Sequence, residues 1–210
     1  MPVRCLPGAG AVGQEIVRQA LAAGHHVTAV VCDPARLTVT GARLGVFRAG
    51  LTDPRALRPA LAGRDAVPSG LGARSRKDAG VTTRLTRTVL GAMEAERVRR
   101  LIVVTAGPVG PEPAGDGFLD RTARSLVSAI LKDVHADLRE TEAELARSAT
   151  DRTVVRPPRL RNKPLTGTYR TVVGGFPPHG RFIACADVAH AMLAMIDDPA
   201  TVKQGVGVAY

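Results

Sequence analysis

Three glycines near the start of the chain, Gly8, Gly10 and Gly13, have the GxGxxG spacing of a turn that can hold phosphate groups. The first glycine permits a tight turn, the second lets the backbone approach a pyrophosphate, and the third lets a helix pack closely on a strand. Free N–H groups at the start of that helix would bind the phosphates. This spacing predicts the binding of a dinucleotide; a glycine-rich turn that binds nothing is the alternative.

The elements that must position this turn are predicted from the residues on either side of it. Val3 to Leu6 is predicted to form a strand, Gln14 to Ala23 a helix, and His26 to Val31 a second strand. Asp33 follows that strand, 20 positions after Gly13. An acidic residue in this place accepts hydrogen bonds from a ribose in dinucleotide-binding proteins, so the whole unit supports a dinucleotide site more strongly than the glycines alone.

The rest of the chain alternates short apolar strands with segments of helical periodicity, which predicts an α/β fold. We expect a doubly wound parallel sheet, with helices on both faces, in a single domain spanning residues 1–210. Segments of about 107–130 and 157–185 are expected to add small elements around a substrate pocket. Strands are predicted at 46–49, within 65–72, at 100–106, 153–156 and 169–173, and, as a last edge strand, at 205–210. Helices are predicted at 54–61 with Asp53 as N-cap, and at 81–97, 131–148 and 186–197.

Composition and charge exclude several classes of function. The 210 residues carry a net charge of +10, which favours anionic ligands. The arginines are scattered and no aromatic side chains alternate with them, so we expect no nucleic-acid partner. The apolar runs are strand-sized, and no basic segment precedes an apolar stretch of signal-peptide length. We therefore expect a cytoplasmic protein with no membrane partner.

The cysteines and histidines show no metal-binding pattern. Cys5, Cys32 and Cys185 lie far apart, and none of the five histidines forms an HxxxH or HExxH arrangement. We expect no metal site, and we expect the cysteines to be buried free thiols.

Seven segments in order along the chain carry a resemblance to one protein family. They are GAGAVG (8–13), VVCDPARL (30–37), LTDPRALRPALAGRDAV (51–67), RRLIVVTAG (99–107), VVRPPRL (154–160), KPLTGTYR (163–170) and ADVAHAML (186–193). In this order and spacing the chain resembles the NAD(P)H-binding group of atypical short-chain dehydrogenases. That group includes flavin reductase/biliverdin reductase B and NmrA-like proteins.

The resemblance implies a Rossmann-type sheet and hydride transfer from NADPH to a flavin, quinone or similar planar acceptor. It implies a pyrophosphate at the glycine turn, an adenosine ribose beyond the second strand, and a nicotinamide at the ends of the later strands. The cofactor-binding residues expected from the glycine spacing and the resemblance are Gly8, Gly10, Ala11, Val12, Gly13, Cys32, Asp33, Arg36, Ser69, Gly70, Leu71, Gly72, Thr105, Ala106 and Pro157, with Pro158 shaping the far wall.

The chain departs from the family pattern at four positions on the cofactor side. Pro7 stands where relatives have their first glycine, and Gly50 stands where they have an aspartate facing the adenine. Cys32 replaces an arginine suited to a 2′-phosphate, and Ala106 replaces a serine that can donate a hydrogen bond. Arg36 could bind the 2′-phosphate instead, while Asp33 could accept from a free 2′-hydroxyl, so NADP and NAD both remain open, with NADP slightly preferred.

Few residues are candidates for proton chemistry, because the chain has no YxxxK pair. Thr105 and Arg159 are the predicted catalytic residues, with Arg159 orienting an anionic substrate or forming a surface ion pair. His135 is predicted to be a surface helix residue. Asp137 and Glu142 are predicted to make structural contacts with the loop after the sixth strand.

Three functions from different classes follow from these observations. The leading one is an NAD(P)H-dependent oxidoreductase that reduces a planar or quinonoid small molecule, with binding geometry as the main catalytic term. The second is a non-redox cyclase, isomerase or dehydratase that has lost cofactor affinity. The third is an NmrA-like sensor that binds a dinucleotide without turnover. We expect a small-molecule substrate and a monomer or homodimer.

Overall fold

The computed structural model describes residues 10–50, 52–71, 80–107 and 132–210 of the chain. The predicted first strand, Gly8, Gly72 and most of the predicted pocket segment at 107–130 lie outside the described residues. In the described ranges the helices are α1 (Ala11–Ala22), α2 (Pro54–Leu61), α3 (Val81–Ala95), α4 (Lys132–Arg147) and α5 (Cys185–Ala194). The strands are β1 (Val27–Val31), β2 (Leu44–Arg48), β3 (Ala66–Ser69), β4 (Arg100–Val104), β5 (Asp151–Arg156), β6 (Arg159–Arg161), β7 (Arg170–Val173), β8 (Phe182–Ala184) and β9 (Gln204–Ala209).

The larger sheet has the strand order β3-β4-β5-β9-β7. Its first four strands are parallel, and β7 is antiparallel to β9. Two parallel pairs, β1-β2 and β6-β8, complete the described sheets. Since parallel strands need crossover connections, the helices between them must lie on the faces of the sheet.

Helices cover both faces, because two separate apolar cores lie on opposite sides of the strands. On one face α1 and α5 pack together, and Ile16 and Met192 join Ile102 of β4 in one core. On the other face α2, α3 and α4 contribute Leu57, Met93 and Leu145 to the second core, together with Leu101 of β4. β1 also contributes to both cores. The predicted doubly wound α/β architecture is confirmed.

Local signals placed most helix boundaries within a few residues. Residues 54–61 form α2 as predicted, with the Asp53 carboxylate accepting from the Arg55 N–H at 2.9 Å and proline at the first helical position. Helix α1 begins at Ala11, three residues earlier than predicted. Among the described helices, none has both the length and the apolar character needed to cross a bilayer.

Long-range pairing corrects one prediction about strands and adds one pair of strands that was missed. The last strand, β9, is not an edge strand, because it pairs with β5 on one side and with β7 on the other. The short pair β6-β8 was not predicted. All three residues of β6 are exposed and two are arginines, so the segment has no apolar alternation that would mark a strand.

Helices α3 and α4 are joined by a buried carboxylate. Helix α3 has no capping side chain on its own N-cap, Gly80. Asp137 of α4 supplies the cap by accepting from the N–H groups of Thr82 and Thr83, both at 3.0 Å, and from the Thr83 hydroxyl at 2.6 Å. Burial alone would raise the pKa of Asp137, but the hydrogen bonds from Thr83 and Thr82 outweigh it and lower that pKa. Asp137 therefore contacts α3 rather than the predicted loop after the sixth strand.

A second buried carboxylate ties the C-terminus to the loop before β7. Asp187 is fully buried and accepts from the N–H groups of Thr166 at 3.0 Å and Gly167 at 2.8 Å. The hydroxyl of Tyr210, the last residue, also donates to this carboxylate. The segment leading into β7 is thus held against α5 by hydrogen bonds that converge on one side chain.

We predict that Asp137→Asn lowers the free energy of unfolding by about 1–3 kcal/mol, because an amide cannot accept from all of these donors. The folded-state pKa of Asp137 is depressed, so its contribution is present above about pH 4 and is lost as the pH falls through the folded-state value. The variant should therefore lose less stability than the wild type between pH 5 and pH 3, read by chemical denaturation. Asp65→Asn, at an exposed carboxylate, is the control; equal pH dependence in both variants would contradict this role.

Candidate functional site

The start of α1 and the end of β3 meet at a point where even a Cβ would be a tight fit between them. A Cβ at Gly70 would lie 3.1 Å from the N and Cα atoms of Gly13, both of them backbone atoms. At Gly10, the N-cap of α1, a Cβ would meet no described atom within 4 Å, and no side chain caps the helix there. The first-turn N–H groups of α1 therefore receive no side-chain acceptor from the N-cap, which fits a phosphate-binding turn.

The residues after β3 are held in place by a local hydrogen bond. Ser69 is buried, and its hydroxyl accepts from the N–H of Leu71 at 3.4 Å. The structure thereby brings Ser69, Gly70 and Leu71 next to the first turn of α1. The glycine turn at the start of α1 and the residues at the end of β3 were both predicted to belong to one cofactor site, and the structure brings them together.

The loop after β1 forms the third predicted group and is tied to the same helix. Asp33 accepts from the Ala35 N–H at 3.1 Å and so caps the short 3₁₀ turn Pro34–Arg36. Gln14 of α1 donates to the backbone oxygen of Arg36 at 3.3 Å and accepts from the N–H of Thr38, also at 3.3 Å. Cys32 is exposed here, so the expectation of a buried thiol is wrong for this cysteine.

Gln14 was missed by the sequence reasoning, although it directly follows the last glycine of the turn. Its amide holds the predicted ribose-binding loop against the predicted phosphate-binding helix. A polar side chain at the fourth position of a helix carries no signal of its own, because the partner at Thr38 lies 24 residues away.

At the other side of the site the ends of β4 and β5 lie side by side. The N–H of Thr105 donates to the oxygen of Val155 at 2.8 Å, and that of Gly107 donates to the oxygen of Pro157 at 2.7 Å. A Cβ at Gly107 would lie 2.8 Å from Cε2 of Phe176, so this ring packs directly on the strand end. Thr105, Ala106 and Pro157 are thus neighbours, and Phe176 is an unpredicted member of the group.

The side chain of Thr105 belongs to a charged network. Its hydroxyl donates to Oε1 of Glu142 at 2.9 Å. Arg156 donates to the same carboxylate from Nε at 3.1 Å and from Nη2 at 2.5 Å. Glu142 therefore contacts the end of β5, in agreement with its predicted structural role, and the Thr105 proton is already engaged.

The other titratable side chains near the expected pocket, His135, Tyr169 and Arg159, are placed as follows. His135 is only 3% exposed, so the prediction of a surface histidine is wrong; burial first and the charge of Arg139 second lower its pKa. Tyr169 shares a 2.7 Å hydrogen bond with Nδ1 of His190, and burial raises the pKa of Tyr169 to about 12. Arg159 is exposed at the start of β6.

A cavity of about 370 Å³ opens beside the first two turns of α1. Of the predicted site residues that the structure describes, only Ala11 lines it, so the cavity extends the site at the phosphate end rather than at the ends of β4 and β5. Its lining residues are Ala11, Gln14, Glu15, Arg18, Asn162, Lys163, Pro164, Cys185 and Ala186.

Within the described ranges, no three His, Cys, Asp or Glu side chains lie close enough together to hold a metal ion. Cys185 is a buried free thiol, as expected, and burial raises its pKa.

Comparison with known proteins places this geometry in a family. The model of a family described as NAD(P)H-binding matches residues 8–199. A solved structure from Burkholderia pseudomallei superposes with a TM-score of 0.81 at 25% identity, covering 100% of both chains. The structure of an oxidoreductase from Lactococcus lactis superposes with a TM-score of 0.78 at 16% identity, and the match covers 100% of this chain and 90% of the Lactococcus lactis chain. A short-chain dehydrogenase/reductase from Veillonella parvula, solved in complex with NADP, superposes with a TM-score of 0.78 at 18% identity. This match covers 99% of our chain and 94% of the Veillonella parvula chain.

We predict that Gly70→Ala lowers the free energy of unfolding by about 1–3 kcal/mol, because the added methyl group meets backbone atoms that cannot rotate away. Thermal and chemical denaturation measure the change. Gly45→Ala in β2 is the matched control, since its Cβ would lie at an ordinary 3.5 Å from the Thr28 hydroxyl. Equal stability of the two variants would show that β3 and α1 can separate at little cost.

Proposed function

Because the chain belongs to the NAD(P)H-binding family, we propose that it is an NAD(P)H-dependent reductase that transfers hydride to a planar or quinonoid small molecule, or to a flavin. The observation that carries the proposal is the contact of Gly70 with Gly13. It places the end of β3 against the first turn of α1, whose N-cap makes no side-chain hydrogen bond. This edge of the sheet is where doubly wound proteins bind ligands.

The described residues fit a dinucleotide along this edge. Gly10–Gly13 would hold the pyrophosphate through backbone N–H groups, with no Cβ at either glycine to block the approach. The loop of Asp33 and Arg36, held by Gln14, would hold the adenosine ribose. Thr105, Ala106 and Pro157 would border the nicotinamide.

The protein's part in such a reaction is mainly geometric. The bound cofactor supplies the hydride, and the chain must align the two rings and exclude water. Phe176 and Pro157, packed at the ends of β4 and β5, provide an apolar wall for this purpose. With no YxxxK pair in the sequence and the Thr105 proton engaged by Glu142, we propose that the proton comes from solvent.

We propose NADP as the preferred cofactor. Arg36 is an exposed cation at the end of the loop after β1, and a guanidinium matches a phosphate better than a neutral hydroxyl. One oxygen of Asp33 already caps the 3₁₀ turn, which weakens its case as the acceptor for a free 2′-hydroxyl. That the Veillonella parvula protein was solved with NADP supports the same choice.

We expect Arg36→Ala to weaken NADPH binding about tenfold or more and to leave NADH binding nearly unchanged, because only NADPH carries the 2′-phosphate. Dissociation constants from nicotinamide fluorescence measure the effect. Arg55→Ala, which removes an exposed arginine at the start of α2, should change neither constant. Equal losses for both cofactors in Arg36→Ala would mean that Arg36 does not read the 2′-phosphate.

The reductase proposal is tested by titrating the protein with NADPH and NADH and then following their oxidation with a panel of flavins and quinones. We expect saturable binding of one cofactor and turnover with at least one acceptor. No binding of either cofactor at millimolar concentration would exclude both the reductase and the sensor and leave a non-redox enzyme. Binding without oxidation across the panel would favour the sensor.

A further inference from the structure

We propose that Glu142 is a positioning residue that makes the Thr105 hydroxyl a hydrogen-bond acceptor for the carboxamide NH₂ group of the nicotinamide. This inference rests on the proposed function, since it concerns a bound nicotinamide cofactor. It goes further by assigning a role to a side chain on α4 and by fixing the direction of one hydrogen bond.

The direction follows from the chemistry of the two groups. A carboxylate has no proton to give, so in the 2.9 Å contact the Thr105 hydroxyl must be the donor and Oε1 of Glu142 the acceptor. A hydroxyl has a single proton. Thr105 can therefore offer a ligand only its lone pairs, and a ligand group that meets this oxygen must bring an N–H or O–H.

The carboxylate is held so that it cannot turn away from Thr105. Arg156 donates to both oxygens of Glu142 in a bidentate ion pair. The side chain of Arg156 is only 16% exposed and that of Glu142 only 14%. The guanidinium in turn lies where a side chain on β9 would otherwise be, since a Cβ at Gly205 would be 2.3 Å from its Nη1. The Thr105 proton is thus directed by the ion pair of Glu142 and Arg156, which glycine at position 205 leaves room for.

The position of Thr105 points to the nicotinamide half of a dinucleotide. With the pyrophosphate at α1 and the adenosine at the loop after β1, the other half extends the opposite way, over the ends of β3 and β4. Ser69 pairs with Val103 in the parallel register, so the chain just beyond β3 runs beside Thr105, the first residue after β4. The nicotinamide carboxamide offers one NH₂ donor and one oxygen acceptor, and only the NH₂ suits an oxygen whose proton is engaged.

The inference also redefines the role expected for Thr105. A hydroxyl committed to Glu142 cannot protonate an acceptor, so Thr105 orients the cofactor instead of serving as an acid. Replacing the carboxamide NH₂ by a methyl group should then remove one hydrogen bond and leave the Thr105 oxygen unsatisfied.

The test compares NADP⁺ with its 3-acetylpyridine analogue, in which a methyl group replaces that NH₂, and in parallel the same pair without the 2′-phosphate. Isothermal titration calorimetry gives the dissociation constant of each ligand. The ratio of the analogue's constant to that of the natural cofactor is compared between variants, because a general loss of folded protein or of affinity changes both constants equally. We expect the wild type to bind the natural cofactor about tenfold more tightly. Thr105→Val should bring the ratio to about one, and Thr105→Ser should restore it.

The Glu142→Gln variant tests whether Glu142 fixes the direction of the Thr105 hydrogen bond or only fills space beside Thr105. Its amide must turn an N–H toward either Thr105 or Arg156, so the hydroxyl is no longer forced to donate, and the ratio should fall below that of the wild type. Thr171→Val on exposed β7 should keep the wild-type ratio.

Three outcomes would overturn the inference. Equal affinity of the wild type for both ligands, or an unchanged ratio in folded Thr105→Val, contradicts the Thr105 contact while the reductase proposal stands. An unchanged ratio in folded Glu142→Gln contradicts the role of Glu142. Failure of the wild type to bind any of the four dinucleotides overturns the proposed function together with the inference.

Discussion

The close approach of two backbones, at Gly70 and Gly13, is the constraint on which the rest of the site depends. A separation of 3.1 Å between Gly13 and the place of a Cβ at Gly70 means that any larger residue there would press on the backbone of α1, so glycine favours this close approach. Because α1 also packs on α5, the helix start and the strand ends are fixed relative to one another. The first turn of α1 then lies along the same edge as the ends of β3 and β4, as a long two-part ligand requires.

Buried or largely buried carboxylates hold the loops and helices around this edge. Asp137 and Asp187 are satisfied largely by backbone N–H groups and hydroxyls, whereas Glu142 is paired with Arg156. Desolvated carboxylates are tolerated only when their acceptor sites are filled, so each of these residues fixes the segments that it contacts. Within the described ranges only Glu142 among them is hydrogen-bonded to a residue of the predicted site, which separates the residue that shapes the site from those that stabilise the fold.

Much of the fold could be predicted from local patterns, and the site only in part. Residues 54–61 were placed correctly because Asp53 and Pro54 mark a helix start by themselves. The position of β9 could not be predicted, because an alternation of valines does not reveal whether a strand has one neighbour or two. Gln14, Phe176 and the Glu142–Arg156 pair depend on partners distant in sequence. His135 was predicted at the surface because, in a helix of mostly polar residues, the sequence does not show which polar side chain faces inward.

The central claim, a dinucleotide lying along the edge formed by α1, β3 and β4, is tested most directly by a crystal structure of the protein grown with millimolar NADP⁺. The account predicts pyrophosphate oxygens within about 3 Å of N–H groups in the first turn of α1. It also predicts the nicotinamide at Thr105 and the 2′-phosphate at Arg36. A dinucleotide bound away from this edge, or a saturated crystal with no bound dinucleotide, would contradict it.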